Sequence, residues 1–313
     1  MNVEATRAAD AATGSLSARQ LRQIGWITAA ALGVFLFFRW LPTGTALSHM
    51  DFRVDAPNAI EFCDPLNPQF IPVVAVASPI AMEMKPATTP TAGETVAVKA
   101  ILRTSSGKPI GPEDLLVVHT ERLHLLIADP TLSDYQHVHP QPGRGAGEWE
   151  FEFMPLKEGV YRVFADFTPA ATSRGLYASA DVNVGAGSGA AATRESDGAE
   201  EEYRFTLQPA TPVMTARAPM DLRFEVTRVD GGLVPLEPVM DAYAHLVAFD
   251  ETRSGFAHLH PVEADPAWKP DAAKPVLNFK ITIPTAGRYV VWAQVNLGGQ
   301  EKFVPFWFDV VEG

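Results

Sequence analysis

Apolar and polar residues alternate along most of the chain in short runs. AMEMKP (81–86), ETVAVKAIL (94–102), LHLLIAD (123–129), EWEFEF (148–153) and VYRVFADF (160–167) are separated by the turn clusters SSGKPIGP, DPTLSD and QPGRGAGE. A second series follows: YRFTLQPA, DLRFEVTRV, AHLVAFD, LNFKITI, RYVVWAQV and FVPFWFDVV. Period-two runs bounded by Gly, Pro, Asp and Ser predict strands, and their number and spacing predict β-sandwiches. The two series define an expected module at 81–184 and another at 203–313. Residues 185–202, mostly Gly, Ala, Ser and acid, predict a flexible acidic linker between them.

One stretch breaks the alternation. Ile24 to Phe38 is an unbroken run dominated by apolar side chains. It predicts a transmembrane signal-anchor helix over 24–41, once Leu21 to Leu41 is counted with Arg39 snorkelling and Trp40 at the interface. A cytoplasmic segment (1–23) precedes it, and a Pro-rich stalk (42–80) follows. Arg7, Arg19 and Arg22 stand before the run and Arg39 alone after it. The positive-inside rule then puts the N-terminus in the cytoplasm and the two modules on the extracytoplasmic side of the cell's inner membrane, with the bilayer as a partner. A cleaved signal peptide ending near Gly44-Thr45-Ala46 is the competing reading. Against it, over twenty residues precede the run, and they include Glu4 and Asp10.

The 313 residues carry 25 Lys plus Arg against 37 Asp plus Glu, a net charge of −12, which argues against nucleic acid as a partner. One cysteine, Cys63, excludes an intramolecular disulfide framework, a cysteine-rich zinc site and covalent c-type haem. The residues before Cys63 form no lipobox, so a buried free thiol is expected there.

The two series are copies of one module. His124, His137 and His139 recur as His245, His258 and His260 at a constant offset of 121, with Leu125, Asp129, Ser133 and Pro140 recurring as Leu246, Asp250, Ser254 and Pro261. Beyond a loop insertion the offset becomes 128: Phe151, Gly159, Tyr161, Val163 and Ala165 become Phe279, Gly287, Tyr289, Val291 and Ala293. A period this long means duplicated domains rather than a solenoid.

Six of the eight histidines therefore sit at matched positions, in the pattern His-x12-His-x-His-Pro. Two residues apart on a strand, His137 and His139 face the same way, about 6.6 Å apart. The strand bearing His124 is the antiparallel neighbour. Three imidazoles from two strands suit copper or zinc, so one ion per module is expected: His124, His137 and His139 in the first, His245, His258 and His260 in the second. His119 and its counterpart Met240 are candidate fourth ligands. The alternative is structural: histidines at a strand end bond backbone carbonyls and support turns. The modules would then be a non-enzymatic envelope interaction device with an envelope protein as the partner.

These runs resemble a family of bacterial exported or membrane-anchored proteins with duplicated immunoglobulin-like modules. The resemblance rests on LHLLIADPTLSDYQHVHP (123–140), LEPVMDAYAHLVAFDETRSGFAHLHP (236–261) and AGRYVVWAQVNLGGQEKFVPFWFDV (286–310). It covers residues 80–312 and implies an all-β fold of two tandem immunoglobulin-like sandwiches, export, and in some members a heavy-metal association. It makes the two His-x-His-Pro runs the signature positions.

Other chemistry finds little support. Gly-x-Ser-x-Gly, His-Glu-x-x-His, phosphate-loop and dinucleotide motifs are absent from the sequence. Ser133 with Asp129, and Ser254 with Asp250, read as turn formers rather than members of a catalytic triad. The expectation is a protein that is not an enzyme, with a copper oxidoreductase left open. Met82 and Met84 read as the core face of a first strand, and His49 as a solvated stalk residue.

Overall fold

A computed structural model describes residues 16–40, 47–53, 68–187, 202–263 and 268–313. Gly44-Thr45-Ala46, Cys63 and most of the 185–202 linker lie outside the described residues. The chain divides into two units, Met1–Gly44 and Thr45–Gly313.

In the first unit, α1 (Ala18–Arg39) begins earlier than the apolar run alone predicts. The reason is local. Ser17 and Gln20 form a capping box in which each side chain bonds the other's backbone N–H, and this starts the helix ahead of its apolar stretch. None of its 22 residues is buried. At about 1.5 Å per residue it is long enough for a hydrocarbon core of roughly 30 Å.

The second unit is all β. The first module contains β1 (Ile80–Pro86), β2 (Val96–Thr104), β3 (Leu123–Ala128), β4 (Tyr135–Val138), β5 (Gln141–Pro142), β6 (Glu148–Phe153), β7 (Gly159–Phe167) and β8 (Leu176–Val184). One sheet has the order β1-β2-β6-β5 and the other β4-β3-β7-β8. The second module contains β9 (Tyr203–Pro209), β10 (Met214–Thr215), β11 (Pro219–Arg228), β12 (Leu236–Glu237), β13 (His245–Asp250), β14 (Phe256–Leu259), β15 (Val276–Thr282), β16 (Gly287–Leu297) and β17 (Gln300–Val311). Its sheets run β15-β11-β9 and β10-β17-β16-β13-β14, with β12 pairing β16. Each module is an immunoglobulin-like sandwich with its own core. Trp149, Leu125, Ile127, Tyr161 and Val163 lie in the first core, and Phe224, Phe279, Leu246, Ala248 and Tyr289 in the second. Met82 and Met84 pack against the first core, as the alternation predicts.

The two modules are not separate beads. Their histidine-bearing sheets meet face to face. Leu126, Ala128, Tyr135 and Phe164 of the first pack with Val247, Phe249, Phe256 and Trp292 of the second. The contacts obey the repeat: Tyr135 meets Trp292 at 5.7 Å between ring centres, and the counterparts Phe256 and Phe164 meet at 5.4 Å. Like a two-fold dimer interface, this one uses the same patch on both partners. At its edge, Arg162 donates to the Arg253 carbonyl at 2.9 Å, and Arg253 donates to the Val160 carbonyl at 2.6 Å.

Where it is described, the stretch expected as an ordered or semi-rigid stalk (42–80) packs against the modules. Leu47 and Phe52 are buried in the first core, and Phe70 in the second. Ile71 and Val73 enter the inter-module layer. Ile71 exchanges backbone hydrogen bonds with Phe256, at 2.8 and 3.1 Å, so this segment extends the exposed edge at β14. The proline content that suggested a spacer accompanies apolar residues that the open sheet edge captures.

Candidate metal centre

The alternation of β3 sends Leu123, Leu125 and Ile127 into the first core. His124 therefore shares the inter-module face with Leu126 and Ala128. In β4, His137 shares that face with Tyr135. The same logic applies to His245 with Val247 and Phe249, and to His258 with Phe256. Face-to-face packing of the sheets thus brings both triplets to one place, at the end of the apolar interface. Seven of the eight histidines gather there; His49 is exposed and apart.

Within the first triplet the ring centres are 5.3 Å (His124–His137), 5.0 Å (His124–His139) and 4.8 Å (His137–His139) apart. The second triplet gives 5.6 Å (His245–His258), 4.8 Å (His245–His260) and 4.7 Å (His258–His260). In each triplet one nitrogen per ring lies within 4.8 Å of the others. An ion about 2.0–2.1 Å from each nitrogen lies about 3.2 Å from each ring centre, so three roughly tetrahedral ligands have ring centres about 5 Å apart. Both triangles fit.

The hydrogen bonds decide which nitrogens face inward. His124 Nε2 lies 3.0 Å from the Val118 carbonyl, and His245 Nε2 lies 2.9 Å from the Val239 carbonyl. A carbonyl only accepts, so both Nε2 atoms carry the proton and both Nδ1 atoms present lone pairs. These carbonyls are fixed by matching tight turns with two left-handed residues each, His119 and Thr120 in one, Met240 and Asp241 in the other. Val118 and Glu121 close the first, Val239 and Ala242 the second.

His258 Nδ1 donates to the Asp166 carboxylate at 3.0 Å, which leaves its Nε2 as a lone pair. His137 Nδ1 lies 2.9 Å from Gln294 Oε1, and the Gln294 amide nitrogen donates to Glu301 at 2.8 Å. The amide is thereby oriented, so His137 Nδ1 is the donor and Nε2 the lone pair. That Nε2 lies 3.2 Å from the lone pair of His124 Nδ1. Two buried lone pairs at this distance repel unless a cation lies between them. His139 Nε2, His245 Nδ1, His258 Nε2 and His260 Nε2 are buried with no hydrogen-bond partner. Buried polar atoms are normally satisfied, at a penalty of about 1–3 kcal/mol each when they are not. The donor set therefore fits a metal, and each triplet offers the same atoms: Nδ1 from the first histidine, Nε2 from the His-x-His pair.

Burial is the main reason that the site histidines protonate less readily than usual. It holds His139 at about 4 and His245 at about 3, with the neighbouring imidazoles adding to the effect at His245. His137, His258 and His260 are lowered well below the ordinary range by burial first and by neighbouring histidines second. Neutral imidazole is the form that ligates. Burial raises the Asp166 carboxyl, while His124 and His119 pull it down.

His119 crosses to the other triplet. Its ring stacks on His260 at 3.6 Å and lies 6.5 Å from His124 of its own module. Met240 holds the matching turn position and is half-buried. A cleft of about 690 Å³ reaches the cluster, with His119, His124, Asp166, His258 and His260 along its wall. Asp129 lies at the far end of β3, about 16 Å from His124 at 3.3 Å per residue. Its carboxylate accepts the backbone N–H groups of Thr131, Ser133 and Asp134, and Asp250 does the same for Thr252, Ser254 and Gly255. These are turn-forming roles.

Sequence reasoning missed Asp166 and Gln294. They occupy the same repeat position at the offset of 128, directly across from His124 and His245 in the strand register. That coincidence was the available signal.

Two segments, residues 77–184 and 196–312, match a domain of unknown function, DUF8832. No curated protein matches. Among solved structures, the chain is similar to the Escherichia coli adhesin FdeC at 19% identity and a TM-score of 0.23, covering 73% of this chain and 63% of that one. A DUF4785 family protein from Legionella pneumophila gives 10% identity and a TM-score of 0.24, covering 74% and 56%. The Yersinia pseudotuberculosis adhesin InvE gives 11% identity and 0.22, covering 72% and 58%. The chain thus spans less than two thirds of each of these proteins.

Proposed function

The chain belongs to the DUF8832 family, whose domain of unknown function it carries twice, and from that premise we propose that it binds copper or zinc where the two copies meet. The ligands are His124, His137 and His139 for one ion and His245, His258 and His260 for the other. The observation that carries this reading is the convergence of six imidazole lone pairs, four of them buried with no partner and two directed at each other. Four of the six rings are fixed in place by carbonyls, a carboxylate and an oriented amide. An all-imidazole set suits copper and zinc alike. Histidines serving only as turn supports would need one bonded nitrogen each; the second nitrogens would have no reason to converge.

We place the protein in the inner membrane through α1, with its N-terminus cytoplasmic and both modules extracytoplasmic. The exposed apolar helix and the arginine distribution support this placement.

The test is equilibrium dialysis of the full chain in detergent against Cu(II) and Zn(II), followed by metal analysis, beside His137→Ala/His139→Ala and His258→Ala/His260→Ala variants. The expected result is two ions for the parent and one for each variant. Unchanged stoichiometry in both variants refutes the ligand assignment. Absence of any binding returns the histidines to turn support in an envelope interaction module.

A further inference from the structure

Each His-x-His pair is oriented from the opposite module. Gln294 of the second module holds His137 of the first, and Asp166 of the first holds His258 of the second. The rings of the two triplets are also about as close to each other as the rings within one. His137 and His258 are 5.3 Å apart, His124 and His258 5.7 Å, and His137 and His245 6.4 Å.

We infer, on the metal-binding reading above, that the two triplets form a single two-ion centre whose halves are unequal, the His245/His258/His260 half filling first. The asymmetry lies in a position where the two copies differ, Asp166 against Gln294. Asp166 gives His258 an anionic acceptor, whereas Gln294 gives His137 a neutral one. A carboxylate behind a metal-bound imidazole raises its basicity and its hold on the ion, and loss of such a partner typically lowers affinity about 10–100-fold. Asp166 is also the one carboxylate hydrogen-bonded to a ligand histidine among the described residues; Glu301 reaches His137 only through Gln294. A second dication, entering a largely desolvated site beside the first, meets repulsion that Gln294, neutral and with Glu301 only behind it, offsets less. The second ion therefore binds more weakly, and the two ions sense each other.

The cleft supports the same order of filling. Its wall carries His258 and His260 of the second triplet but His124 alone of the first, and His119 stacks against His260. An ion entering from this side meets two ligands of the Asp166-backed half and one of the other.

The test is a Cu(II) titration of the full chain in detergent, followed by electron paramagnetic resonance at increasing loading. The first equivalent should give the spectrum of an isolated ion. The second should broaden it through spin–spin coupling and bind at least tenfold more weakly. The His137→Ala/His139→Ala variant should keep the tight ion at the parent's affinity, and His258→Ala/His260→Ala only the weak one. Asp166→Asn should lower the affinity of the first ion 10–100-fold and bring the two steps together, with metal-free circular dichroism reporting its fold. Two ions of equal affinity with additive, uncoupled spectra overturn this inference and leave metal binding standing. A tight ion retained by His258→Ala/His260→Ala and lost from the other double variant overturns the order of filling. No copper bound at any loading removes the metal reading itself.

Discussion

His137 Nδ1 donates to Gln294 Oε1 at 2.9 Å across 157 residues of chain, from one sandwich to the other. The bond makes the geometry of the first triplet depend on the docking of the second module. The reciprocal bond from His258 to Asp166 makes the dependence mutual. Histidine cluster and inter-module interface are therefore one structure, and damage to the apolar layer should reach the histidines.

Trp292 tests this coupling. It is 6% exposed and packs on Tyr135 of the opposite module, and it contacts no histidine ring among the described pairs. Trp292→Ala should destabilise the chain by about 3–5 kcal/mol, the usual cost of emptying a large aromatic site. Urea denaturation should show the loss, and dialysis should show weaker metal binding in the same variant. Unaltered affinity beside a lowered stability would separate the site from the interface.

Much of this was legible in the chain. The period-two runs predict the sandwiches, and the offset of 121 pairs the triplets before any geometry is known. The face-to-face docking was written less openly. All six residues of Leu123–Ala128 are buried, with no polar side chain set out toward solvent on alternate positions. A strand apolar on both faces is one covered on both faces, and here the second cover is the other module. Strand periodicity reports that a face is buried without naming what buries it. Asp166 and Gln294 were hidden for another reason. Each lies beside its own module's first histidine in register yet bonds a histidine of the other module, a relationship that exists only after docking.

The pH dependence of the metal-free chain follows from burial. His139 and His245, at about 4 and about 3, bind protons less readily folded than the ordinary 6.5 allows when unfolded. Between those limits the unfolded state holds more protons, so stability rises with pH there. Acidification of the chelated protein from pH 7 to pH 4 should lower its unfolding free energy, at up to roughly 1.4 kcal/mol per histidine per pH unit. Asp166, raised by burial, opposes the trend at the acidic end with one group against several. Chemical denaturation across this range checks the sign; a flat profile would show that the histidines are solvated.

Gly255 lies where the 68–74 segment joins β14. A Cβ there would collide with the Ile71 carbonyl, an acceptor for the Phe256 backbone N–H. Gly255→Ala should cost about 1–3 kcal/mol, as overpacking does, and should loosen the added edge segment. Hydrogen exchange at the Ile71 and Val74 amides should accelerate more than in the core strand β16. Equal protection in parent and variant would show that the segment tolerates the side chain.

Metal removal provides the last prediction, and its size follows from linkage. An ion that binds the folded chain and not the unfolded one adds RT ln(1 + [L]/Kd) to stability, about 2.7 kcal/mol at a hundredfold excess. Here the gain has a second source. Without a cation, the lone pairs of His124 Nδ1 and His137 Nε2 face each other at 3.2 Å, and four more buried nitrogens have no partner. The metal-free state thus carries unsatisfied groups that replacement would remove. His258→Ala/His260→Ala should lose the metal-induced rise in Tm for its own ion, while its metal-free form loses less stability than two buried side-chain truncations normally cause. Scanning calorimetry of parent and variant, with Zn(II) and with chelator, separates the two effects. A metal-free variant destabilised by the full cost of two truncations would show that the folded chain bears no strain from its empty lone pairs, and that its histidines are packed as ordinary core residues.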